Sequence, residues 1–245
     1  MLISLSMNFN NDGASQDELV SNLHRNGILK TESVIDAMKK TDRKDFVNPK
    51  HGPLYEDKPR NIGCEATITS PHMHAIALEA LFSEDETESE STSRREKPFI
   101  GLDIGCGSGY LTVCMGHILA KSHQSFLDSG RVAYYEGDGF LGLPEKGPFD
   151  FIHVGAAVEE IPEELVNQLT PGGALVIPVG PQGGEQKLVK LTKLSSSSAS
   201  SDVRKEEIMT VVFSRMNDEP PKSEKEKAQG IAEEMRELYK EGKVN

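Results

Sequence analysis

The run LDIGCGSGY, Leu102 to Tyr110, constrains the fold more than any other part of the chain. An apolar stretch over residues 99–104 runs into a turn holding Gly105, Gly107 and Gly109, and a helical pattern follows from Leu111 to about Lys121. A strand, a tight glycine turn and a helix make the first half of a βαβ unit. Further short apolar runs bounded by turn residues stand at 131–136, 149–154 and 174–179, alternating with helical patterns. That alternation predicts an α/β fold with a mostly parallel sheet. Two more strands are expected at 187–194 and 208–215, flanking the serine tract Ser195 to Ser201.

Ahead of the sheet, Leu19, Leu23, Ile28, Val34, Ile35 and Met38 recur at helical intervals interrupted by Asn26-Gly27, which predicts two short helices joined by a turn. Pro49, Pro53 and Pro59 close off regular helix, so residues 46–57 read as an extended loop of the kind that often carries function. From Pro71 to Phe82 the pattern PHMHAIALEALF puts Met73, Ile76, Ala77, Ala80 and Leu81 on one face. Ser70 is its expected N-cap and Pro71 its first helical residue. Residues 83–97, SEDETESESTSRREK, hold almost nothing to bury and are expected to form a disordered surface loop. A length of 245 residues allows one such domain. Its expected extent is 15–216, with a flexible hairpin tip at 195–202, an N-terminal tail over 1–14 and a charged tail helix over 217–245.

A net charge of −12 repels phosphates, so neither nucleic acid nor a membrane surface is an expected partner. The first residues, MLISLS, carry no basic leader, and Cys64, Cys106 and Cys114 form no C-x-x-C pair. The expected setting is cytoplasmic, with no metal and a monomeric chain.

Glycines in the Leu102–Tyr110 run let a backbone approach a ligand closely, and the helix that follows offers free N–H groups. A dinucleotide fingerprint would be G-x-G-x-x-G, whereas this loop is G-x-G-x-G with Asp103 just ahead of it. That form points to S-adenosyl-L-methionine as cofactor, with Asp103, Gly105, Gly107 and Gly109 around it.

The stretch EATITSPHMHAIALEAL, Glu65 to Leu81, resembles the signature of the protein-L-isoaspartate O-methyltransferases. The blocks LYEDKPRNIG, SGRVAYYEGDG, FDFIHVGAA, QLTPGGALVIPVGP and GGEQKLVKL each resemble a family segment, in order, and the likeness runs from about Asp17 to Leu194. The resemblance implies a Rossmann-like methyltransferase fold and repair of damaged proteins, by methyl transfer to the carboxylate of isoaspartyl residues. Peptides and proteins bearing that residue are the implied partners, held across Thr69 and the LYED loop. Such a carboxylate is already ionised at neutral pH, so it needs donors that orient it rather than a base. Thr69 and Ser70 are the implied catalytic positions; Thr67, His74, Asp138 and Gly139 join the glycine loop around the cofactor. His153 is expected at the end of its strand as a structural residue or at the pocket mouth.

The segment between the glycine loop and Asp138 is too short for the family pattern. A βαβ unit takes about 30 residues or more, so only one unit fits where two are expected. The second strand and its helix are missing, and with them the acidic ribose ligand; Asp128 is the only carboxylate left in the shortened stretch. The alternative reading is a catalytically silent shortened variant that acts as a binding module.

Overall fold

A computed structural model describes residues 10–47, 52–63, 66–82, 99–122, 132–181, 184–195 and 202–213. The expected loop at 83–97, the tip at 196–201 and the tail helix at 217–245 lie outside these residues.

Three helices precede the main sheet: α1 (Gln16–Arg25), α2 (Glu32–Lys40) and α3 (Pro71–Phe82). Ser15 caps α1 by accepting from the Glu18 N–H, and Glu79 of α3 accepts from the N–H groups of Lys30 and Thr31, which ties the start of α2 to α3. Packing begins ahead of Ser15, because Asn11 is buried and donates to Asp57 at 2.6 Å. Between α2 and α3 a 3-10 turn at Arg43–Phe46 leads into the expected loop, and a small antiparallel hairpin, β1 (Arg60–Gly63) with β2 (Ala66–Ile68), follows it.

The main sheet has the order β3 (Gly101–Ile104), β4 (Phe149–Val154), β5 (Leu169–Val179), β6 (Gln186–Lys193), β7 (Val203–Val211). β3, β4 and β5 run parallel, while β6 and β7 turn back antiparallel. Alternation along β4 decides what each face buries. Phe151 packs with α1, α2, α3 and α4 (Tyr110–Ser122), while Ile152 and Val154 face Leu165 of the short α5 (Glu163–Asn167). A smaller cluster, Ala77, Val176, Leu188 and Val211, seats α3 on the antiparallel half. Gly101 has no room for a side chain, since a Cβ there would lie 1.8 Å from the Phe151 ring.

The strand expected at 131–136 does not form: residues 132–136 are exposed coil, with Val132, Tyr134 and Tyr135 at 48%, 58% and 54% exposure. An apolar run becomes a strand only beside a partner that takes up its backbone groups. Here β3 pairs with β4 alone, and no strand among the described residues lies along its other edge. Composition made 131–136 look like a strand; the absent neighbour denies it the sheet.

Candidate active site

An open cleft lies at the carboxyl ends of β3 and β4, where open α/β sheets receive ligands. One wall is the turn from β2 into α3, with Thr67, Thr69 and His74; the facing wall is Asp103 with the loop Gly105 to Ser108. His153 and Gly155 form the back, and Leu188 and Phe213 close one side.

The glycine loop is built by its dihedrals. Gly105, Gly107 and Gly109 all sit at positive φ, +73°, +53° and +80°, where a side chain would be strained. Gly109 turns inward as the loop closes, its N–H donating to the Cys106 carbonyl, and it launches α4 rather than lining the cleft. Behind the loop, Gly155 lets β4 pass: a Cβ there would stand 2.8 Å from the Gly105 carbonyl oxygen.

Asp103 and His153 are register partners on parallel strands, so their side chains share one face. Their contact is a 2.8 Å bond between the carboxylate and His153 Nδ1; the Thr112 hydroxyl of α4 donates to the other carboxylate oxygen. Burial pushes the neighbouring Cys106 thiol up to about 11, and the Asp103 charge adds to the rise. It is protonated at neutral pH and is no nucleophile.

Opposite, the His74 ring is buried and stacks on Tyr110 at 4.8 Å. Burial, then the charges of Arg43 and His153, hold it well below the ordinary histidine range. It is therefore neutral, and its Nδ1 is buried without a hydrogen-bond partner among the described residues.

The start of α3 corrects one expectation. Its N–H groups do not all await a ligand, because the Asp57 carboxylate already accepts from the His72 N–H at 2.8 Å and from its ring Nδ1 at 2.9 Å. Burial alone would raise the Asp57 carboxyl, but its bonds from His72 and Asn11 outweigh that and hold it below the usual range. Ser70 is buried with its hydroxyl 3.4 Å from His72 Nε2, outside the cleft lining, so it does not face a substrate as expected. Its place immediately before the helix turns the side chain back on the first turn. Thr67 and Thr69 remain in the cleft.

Asp138 and Gly139 are not brought there either. The Asp138 carboxylate accepts from the Phe140 N–H two residues on, a local turn bond, and the residue is exposed. With residues 132–136 off the sheet, nothing aims this turn at the cleft. Asp128 lies outside the described residues, and among those described no carboxylate other than Asp103 lines the cleft.

Sequence reading singled out neither Gly155, Leu188 and Phe213, which reach the cleft through strand order, nor Asp57 and Arg43, which lie outside its lining and act on its walls through long-range bonds.

The protein-L-isoaspartate(D-aspartate) O-methyltransferase family model matches the chain in two stretches, residues 14–126 and 119–218. The two matches overlap at residues 119–126, within the shortened stretch where the family pattern has its second strand and helix. A protein-L-isoaspartate O-methyltransferase of Caenorhabditis elegans is 35% identical over 77% of this chain and 88% of its own length. Protein-L-isoaspartate O-methyltransferase 1 of Arabidopsis thaliana is 38% identical over 66% of this chain and 76% of its own. A crystal structure from Plasmodium falciparum, assigned to the same enzyme and in complex with S-adenosyl-L-homocysteine, superposes with a TM-score of 0.63 at 26% identity, covering 84% of this chain and 100% of that one. With the fold, the glycine loop and these matches in agreement, the chain belongs to the protein-L-isoaspartate(D-aspartate) O-methyltransferase family.

Proposed function

We propose that this chain transfers a methyl group from S-adenosylmethionine to the carboxylate of isoaspartyl residues in damaged proteins. The observation that carries the reading is the meeting of the Thr67–Thr69 turn and the glycine loop across one cleft. The residues present fit the cofactor. His74 Nδ1 is a buried polar atom that lacks a partner among the described residues, and the positive-φ glycines leave their backbone open to close approach.

Asp103, Gly105, Gly107 and His74 would hold the cofactor, which supplies an electrophilic methyl group on a sulfonium. The chain's own task is alignment, since a bound carboxylate nucleophile needs no deprotonation. The hydroxyls of Thr69 and Thr67 orient that carboxylate. Neutral His74 adds no positive charge to the cleft, and the Asp103 carboxylate, held by Thr112 and His153, would favour a cationic cofactor there. Ser70, Asp138 and Gly139 have no direct part in this reading.

The test is incubation of the full chain with S-adenosylmethionine and either an isoaspartyl peptide or its aspartyl isomer, read by mass spectrometry. One added methyl on the isoaspartyl peptide alone is the expected result. No methyl on either peptide, from a chain that binds S-adenosylhomocysteine, would overturn it in favour of a silent binding module.

A further inference from the structure

Arg43 is among the most deeply buried side chains of the protein, at 1% exposure. Its Nη2 donates to two carbonyls, Lys58 at 3.2 Å and Thr69 at 2.9 Å, and so joins the loop before β1 to the turn before α3. Its own backbone N–H donates to Gln16, whose side-chain N–H groups reach the Met38 carbonyl and the Tyr110 hydroxyl. Among the described residues Nε and Nη1 have no partner. Asp57, a carboxylate whose charge it feels, accepts from His72 and Asn11 instead.

This is an expensive way to hold two carbonyls, which any neutral donor would satisfy. Burying a guanidinium with unmet N–H groups costs several kcal/mol in general. Burial pulls Arg43 down to about 10, which still leaves it charged at neutral pH. The charge is also felt in the cleft, since Arg43 is the first of the charges that oppose protonation of His74.

Resting on the function proposed above, we infer that Arg43 is a positioning residue with an electrostatic role. It fixes the Thr69 backbone and sets a positive potential behind the Thr67–Thr69 wall that draws the substrate carboxylate inward. Without it, the Asp57 carboxylate at the α3 N-terminus would repel an incoming anion. Arg43 touches neither substrate nor cofactor, and it lies outside the cleft lining.

A purely structural clamp and a charge give different results with two ligands that differ in charge. S-adenosylmethionine carries the sulfonium cation and S-adenosylhomocysteine does not, so a positive potential weakens the first relative to the second. Calorimetric titration of the full chain with each, for wild type, Arg43→Met, Arg43→Gln and Arg43→Lys, reads that difference without peptide or turnover. The expected result is that the ratio of the two dissociation constants falls about threefold or more in both neutral variants, the scale of a charge pair across partly screened protein, and stays near wild type in Arg43→Lys. In the peptide assay KM for the isoaspartyl peptide rises about tenfold in the neutral variants, more than kcat falls. Arg43→Gln keeps a carbonyl donor and carries the comparison alone if Arg43→Met does not fold. If both ligands weaken in step, or if Arg43→Lys behaves like Arg43→Gln, the electrostatic role is wrong even where methylation itself is sound.

Discussion

The two flanks of strand β3 have been treated very differently. On its inner flank stand β4, the His153–Asp103–Thr112 contact and the stacked His74–Tyr110 pair, each side chain fixed by at least one neighbour. On its outer flank, beyond Gly101 to Ile104, the described residues offer no strand, and Val132, Tyr134 and Tyr135 stand exposed. In the proposed reading the inner flank faces the reacting groups, and the outer flank is where the resemblance implies a ribose acid. The contrast teaches that, on that reading, alignment of the reacting groups and grip on the nucleoside are separable parts of one site.

The largest effect should come from the inner flank. Thr69→Val removes the hydroxyl and keeps the shape, so kcat for an isoaspartyl peptide should drop about a hundredfold, in the range of one lost alignment or oxyanion donor. Affinity for S-adenosylhomocysteine should stay within about threefold; equal loss of both would mean that Thr69 holds cofactor and that the two functions are not separable. The outer flank sets the next effect. Lacking one charge-assisted bond to the ribose, worth about 1.5–3 kcal/mol, the chain should bind S-adenosylhomocysteine roughly ten- to a hundredfold more weakly than a relative that has the acid. Parity in side-by-side calorimetry would show that some other group has taken over.

Acid should sharpen the contrast further. His74 is held neutral in the fold but free to protonate when unfolded, so below about pH 6.5 the unfolded chain binds the extra proton and stability falls with pH, by at most about 1.4 kcal/mol per unit. His74→Phe should flatten that slope in denaturant melts between pH 7 and 5; an unchanged slope would place the titrating group elsewhere. The smallest effect is predicted at the outer edge. Ile100 is 45% exposed ahead of β3, and Ile100→Lys should change stability by no more than about 0.5 kcal/mol. A loss of more than 2 kcal/mol would mean that this flank is covered after all.

What could be read from the sequence follows the range of the interaction that decides it. α3 and β4 were legible to the residue, because periodicity over their own length determines them and Pro71 and Gly155 mark their ends. The glycine loop was legible because positive φ is a local demand. The segment at 131–136 had the composition of a strand, but a strand is completed by a neighbour and that neighbour is missing. Ser70 and Asp138 lie outside the cleft lining for a related reason: each has a local bond, to His72 and to Phe140. Arg43 was invisible because its bonds to Lys58 and Thr69 cross 15 and 26 residues, and nothing in its local pattern records them.

Leu188 and Phe213 close one side of the cleft, and the Gln186 side chain holds the Phe213 backbone through both its N–H and its carbonyl. The wall thus depends on a hairpin made after every other contributor has been synthesised. During translation the glycine loop and the Thr69 turn would emerge long before the β6–β7 hairpin docks, and a chain arrested short of residue 213 would have both motifs and no closed site. Ligand protection against proteolysis should therefore arise in a single late step, as a report that the whole domain is complete.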